Sequence, residues 1–141
     1  MVRSISIAVL ILASFAEIAF CGEIIVAREV ESYFFPSPKE KAESEEGAFE
    51  NTYVYDGNVI TRIKVENKKR GETLTDNTKY IIEKKLANFS FSGDPFIRAV
   101  GFPGHDAIEI LTFNKNYMQN VKSTGDYLIV TRYRITKRYQ Q

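Results

Sequence analysis

From Asn51 onward the chain is a succession of short β-like runs separated by turn signals, and this punctuation limits the fold more than any other feature. Runs rich in β-branched and aromatic residues, recurring about every 8–12 residues, are the mark of a sandwich or small barrel. Tyr53, Val54 and Tyr55 precede Asp56-Gly57-Asn58, and Val59 to Val65 follow, which is a hairpin pattern. In that second run Val59, Thr61, Ile63 and Val65 share one face, while Arg62 and Lys64 take the other and Ile60 interrupts it. Period two of this kind places the first set against a core and the charged set in solvent. Tyr80–Leu86 fits a helix or a strand, and its β-like neighbours favour the strand; further strands are expected over Asn88–Ser92, Phe96–Val100, Ile108–Phe113, Tyr117–Val121 and Tyr127–Tyr139. In the last of these, Tyr127, Ile129, Tyr133, Ile135 and Tyr139 share a face. No strong amphipathic helix pattern occurs after residue 50, which argues against alternating strand–helix architecture. The expected fold is all-β, a small antiparallel β-sandwich or open barrel over residues 51–141, with an irregular N-terminal arm over residues 22–50.

The first 21 residues have a different character. Arg3 precedes an apolar stretch from Ile5 to Ala16, and small residues follow at Ala16 and Ala19. This is the layout of a secretory signal peptide, and the stretch is short for a membrane span of about 20 residues. Cleavage before Gly22 fits Ala19 and Cys21; cleavage before Glu17 fits Ser14 and Ala16. The first removes Cys21, the only cysteine, and the second leaves an odd thiol. Either way the mature domain is expected to be secreted and extracellular, to carry no membrane span, and to hold together without an internal disulfide. About 120 residues suffice for a core that buries well over half of the unfolded surface.

Between leader and β region lie Tyr33-Phe34-Phe35-Pro36-Ser37-Pro38 and a Glu-rich segment. Residues 39–50 hold two lysines and five glutamates, which reads as a solvated loop or short exposed helix. Asn67-Lys68-Lys69-Arg70-Gly71-Glu72 reads as a charged turn, with a dibasic processing site as its functional alternative.

Few residues invite chemistry. Asn88-Phe89-Ser90 is an N-glycosylation sequon, and the alternation puts Asn88 on the polar face opposite Phe89 and Phe91. His105 is the only histidine. It has no ligand-spaced partners for a metal and no nucleophile motif to serve as base. Asp106 and Glu109 are the sole suggestion of paired carboxylates. No catalytic residue, metal or cofactor is expected. Nineteen Lys plus Arg against eighteen Asp plus Glu give a net charge of +1, which removes the electrostatic case for direct nucleic-acid contact. Charge is nonetheless uneven: Arg132, Arg134, Lys137 and Arg138 form a basic stripe at the C-terminal end, with Tyr133 and Tyr139 interleaved. They read as an edge strand kept soluble by charge. The functional alternative is binding of an anionic partner such as an acidic glycan.

Ile60-Thr61-Arg62-Ile63-Lys64-Val65, then Asn88-Phe89-Ser90-Phe91, a glycine loop and Ile108-Glu109-Ile110, follow in order behind a signal-like leader. Over at most residues 51–112 this resembles the insect multiprotein bridging factor 2 family. The resemblance implies a non-enzymatic interaction protein of a transcription-activator family. From the residues alone the alternative is an extracellular carrier holding a small apolar ligand in a lipocalin-like barrel.

Overall fold

The computed structural model describes residues 22–35, 43–44, 47–86, 95–104 and 106–140. The leader, the sequon at Asn88 and His105 lie outside the described residues.

Local turn chemistry sets the first hairpin. The Asp56 carboxylate accepts hydrogen bonds from the backbone N–H of Asn58 (2.8 Å) and Val59 (2.7 Å). Gly57 takes φ +96°, a conformation that a side chain would strain. Strands β3 (Phe49–Tyr55) and β4 (Val59–Asn67) pair antiparallel on either side. The basic turn likewise stands as an exposed tip between β4 and β5 (Glu72–Leu86). There Lys68 pairs with Glu50 (3.1 Å) and Glu66 (3.4 Å). The chain continues as a meander through β6 (Phe96–Gly101), β7 (Ile108–Phe113), β8 (Tyr117–Ser123) and β9 (Leu128–Gln140). Among the described residues every element is a strand.

The protein is all-β, and of the expected forms it takes the barrel, here closed. Closure comes from β1 (Glu23–Phe35), which pairs antiparallel with β3 on one edge and with β9 on the other. The two-residue β2 (Glu43–Ser44) borders β1 at Tyr33 and Phe34 on the same edge as β3. The result is an eight-stranded antiparallel barrel. Two expectations change with it. Residues 23–35 are a full stave, not an irregular arm. Ile24, Ile25, Val26 and Ala27 are all buried, and a run buried on both faces shows no alternation to read. Strand β9 is not an edge: it is hydrogen-bonded to both β8 and β1. Its basic residues therefore do not guard an unpaired edge.

Closing eight strands leaves a bore that side chains fill or that holds one small ligand. One part is filled. Ile25, Ala27, Tyr53, Ile60, Tyr80, Ala99, Leu111, Phe113 and Met118 form a buried apolar cluster. Gly101 has a specific part in it. It sits opposite Tyr80 on β5 and Glu109 on β7. A Cβ there would come within 2.5 Å of Tyr80 Cδ1 and 3.0 Å of the Lys79 carbonyl oxygen. The missing side chain lets the Tyr80 ring lie across β6 and reach Glu109.

Outside, one cross-strand row is apolar most of the way round. Val59, Ile81, Val100, Ile110, Val121, Val130 and Tyr33 stand in successive register on neighbouring strands.

Gly101→Ala should overpack this wall. We expect it to lower unfolding free energy by about 1–3 kcal/mol in urea denaturation, the usual cost of forcing a methyl into a filled space. A change below about 0.5 kcal/mol would show that the Tyr80 ring does not need the gap.

Candidate functional site

The bore changes character in layers, and each strand carries the change in its own sequence. Along β1 the inward side chains run Ile25, Ala27, Glu29, Ser32, Phe34; along β9 they run Ile135, Tyr133, Thr131, Ile129. Strand β3 gives Tyr53, Asn51, Phe49; β4 gives Ile60, Arg62, Val65; β8 gives Met118, Asn120, Lys122. Apolar residues close one end. A polar layer lies across the middle. Beyond it is a cavity of about 490 Å³ whose apolar lining comes from Phe34, Phe49, Val65 and Ile129.

Two bulges produce this order. Thr52 pairs with Lys64 but Tyr53 pairs with Arg62, so Ile63 is an extra residue on β4. Glu29 pairs with Tyr133 but Glu31 pairs with Arg132, so Val30 is an extra residue on β1. An extra residue reverses which parity faces inward. Arg62 and Val65 therefore both enter the bore, as do Glu29 and Ser32.

Arg62 reverses the face expected from alternation. Alternation puts it in solvent with Lys64, yet it is 8% exposed. Ile60, read as an interruption of the polar face, is fully buried and belongs to the true inner face. That interruption was the one signal in the sequence of the inversion. Arg62 Nη1 donates to Glu109 Oε2 (2.8 Å) and Nε donates to Asp76 Oδ2 (2.9 Å). Its guanidinium carbon also lies 5.7 Å from the centre of the Tyr80 ring. Burial opposes its charge, but the phenols of Tyr80 and Tyr53 and the carboxylates of Glu109 and Asp76 outweigh it. The net effect holds the guanidinium above its ordinary pKa.

Glu109, 2% exposed, is the hub of the layer. Its Oε2 accepts from Arg62, from the Tyr80 hydroxyl and from Asn120 Nδ2 (3.2 Å). Asp76 accepts from the Thr78 backbone N–H (2.7 Å) and hydroxyl (2.6 Å). Burial alone would raise its pKa, but the Thr78 hydrogen bonds and Arg62 bring it below the usual carboxylate value. Asn51 Nδ2 donates to the hydroxyls of Tyr53 (3.2 Å) and Tyr133 (3.3 Å). At the edge of the layer the Ser32 and Thr131 hydroxyls share a hydrogen bond of 2.9 Å, and Glu29 accepts from the Phe49 N–H at 3.0 Å. Among the described residues, two buried side-chain acceptors have no partner: Asn51 Oδ1 and Asn120 Oδ1.

The residues singled out by sequence lie elsewhere. Asp106 is exposed in the loop before β7, whereas Glu109 faces into the bore, so the suggested carboxylate pair sits in two different environments. Arg132 pairs with Glu31 across the β1–β9 seam. Arg138 pairs with Glu23, its Nε at 2.5 Å and Nη2 at 2.8 Å from the two carboxylate oxygens. Arg134 and Lys137 are exposed on the outer wall. Among the described residues no group of three or more His, Cys, Asp and Glu is placed to hold a metal ion. No helix among them is long and apolar enough to cross a membrane, which says nothing of a β-barrel. Comparison with known protein families, with curated proteins and with solved structures finds no match to this chain.

The layer also makes an alkaline prediction. Burial pushes the Tyr53 phenol up to about 12 and raises Tyr80 and Tyr133 as well. These groups stay protonated in the folded barrel at a pH where the unfolded chain, with phenols near 10, has lost the protons. Their contribution to stability is whole below about pH 10 and is lost as pH rises through the folded values. Phenolate absorbance at 295 nm should show these three groups silent at pH 11 and released together with loss of β-sheet circular dichroism. Wild-type-like ionisation of all eight tyrosines near pH 10 in a folded barrel would contradict the burial.

Proposed function

We propose that the protein is a non-enzymatic binder of a small, largely apolar molecule, held in the bore of the barrel. The carrying observation is the cavity of about 490 Å³ between the apolar ring of Phe34, Phe49, Val65 and Ile129 and the polar layer beneath it. Small-molecule sites typically have volumes of about 300–1,000 Å³, apolar walls and a few placed polar groups. The layer supplies such groups in a setting fixed by ion pairs and hydrogen bonds. Orientation of a bound molecule follows from that contrast: its apolar body meets the ring and its polar end meets the layer. A signal-like leader agrees with a carrier that works outside the cell.

The outer apolar row supports a second reading, in which the wall contacts another protein, as the resemblance to the bridging-factor family implies. A single experiment separates the two. The neutral dye N-phenyl-1-naphthylamine brightens in apolar surroundings, and the chain has no tryptophan, so an introduced one reports proximity by energy transfer. Val65→Trp and Ile129→Trp each fill the cavity from a different strand, and circular dichroism verifies the fold. We expect one dye per chain, affinity lowered at least tenfold by either cavity variant, and no change in the outer double variant Ile81→Thr/Ile110→Thr. Dye binding that survives both cavity variants and vanishes in the outer one would overturn the ligand reading and favour the wall.

A further inference from the structure

We infer that the molecule held in the cavity enters with a primary amine at its buried end, the N–H groups answering the carbonyl oxygens of Asn51 and Asn120. This rests on the ligand-binding reading and adds the chemistry of the head group. Asn51 is 3% exposed and Asn120 7% exposed, and both line the cavity. Each has spent its amide N–H on a neighbour: Asn51 on two tyrosine hydroxyls, Asn120 on Glu109. Each is left with an acceptor that has no donor. A buried acceptor without a partner has lost its water and gained nothing in return, so a layer otherwise this well connected retains two sites that a donor would satisfy.

The surrounding charges choose among donor-bearing heads. The guanidinium of Arg62 is held by Glu109 and Asp76, two carboxylates against one cation, and the Glu29 carboxyl lines the same cavity. Lys122 is half-buried and stands one inward position beyond Asn120 on β8, away from the apolar end. A carboxylate head would bring no donor and would meet an arginine already held by two carboxylates, in a bore where Glu29, Asp76 and Glu109 outnumber Arg62 and Lys122. A hydroxyl brings a single donor. An ammonium brings three donors and the complementary charge. Quaternary ammonium keeps the charge and loses every donor, so it isolates the hydrogen bonds from the electrostatics.

The test is isothermal titration of the full chain with four ligands that share one alkyl body: octylamine, 1-octanol, octanoate and N,N,N-trimethyloctylammonium. We expect octylamine to bind at least tenfold more tightly than octanoate and than the trimethyl form, with octanol between. Asn51→Leu and Asn120→Leu should each weaken octylamine at least fivefold and narrow its advantage over octanoate. The ranking on the unaltered protein needs no variant to fold. Octanoate equal to or tighter than octylamine, or a trimethyl form that binds as well as the primary amine, would overturn the assignment of the head group. So would four ligands of equal affinity, while leaving the ligand reading in place. If the neutral dye and all four ligands fail to bind, the ligand reading fails with it.

Discussion

An arginine inside a closed barrel is tolerable only if its charge is met there, and the layer across the bore is built around meeting it. Arg62 comes from β4, Asp76 and Tyr80 from β5, Glu109 from β7 and Asn120 from β8. Taking two ions out of water costs several kcal/mol each, and attraction returns that only with good geometry and further hydrogen bonds. Glu109 has both: contacts with Arg62, Tyr80 and Asn120 converge on a single oxygen. Staves that are not neighbours in the sheet are thereby tied through the interior. The wall hydrogen bonds give the barrel its shape, and this layer gives its interior a fixed floor.

The floor depends in turn on small local irregularities. Without the extra residue at Ile63, Val65 would point outward whenever Arg62 points in. The same holds for Ser32 and Phe34 relative to Glu29 and the extra residue Val30. Each bulge converts one stave from a simple alternation into the sequence apolar, polar, apolar that the bore requires. Gly101 makes a parallel concession on β6, giving up a side chain so that Tyr80 can cross to Glu109. A cavity above a braced floor is the product of these three positions.

Much of the fold was legible in the sequence. Turn residues act locally, so Asp56-Gly57, Asn114 and Thr124 mark their hairpins by bonds to the chain two or three residues on. The inward face of β9 was also readable, because Ile129, Tyr133 and Ile135 keep period two in a strand whose other side turns basic at Arg132 and Arg134. Closure was not readable, since it depends on pairing β1 with β9 at opposite ends of the chain and on a first stave with no alternation. Nor was the site. Arg62 and Lys64 look alike in a strand, and only the bulge between them separates an inward charge from an outward one. Glu109 lies among Ile108, Ile110 and Leu111, where either parity looks like a core face. Asn51 and Asn120 carry no local mark.

The most direct measurement of this account is a double-mutant cycle on Arg62 and Glu109, read as urea-denaturation free energies of Arg62→Met, Glu109→Gln and the double variant. If the pair is buried and braces the bore, Arg62→Met should cost about 3–5 kcal/mol, because it leaves carboxylates without their cation. The double variant should then cost less than the sum of the singles by more than about 1 kcal/mol. Singles that each cost under about 0.5 kcal/mol and add without coupling would mean that the two side chains sit in water, and the floor of the cavity would not exist as described.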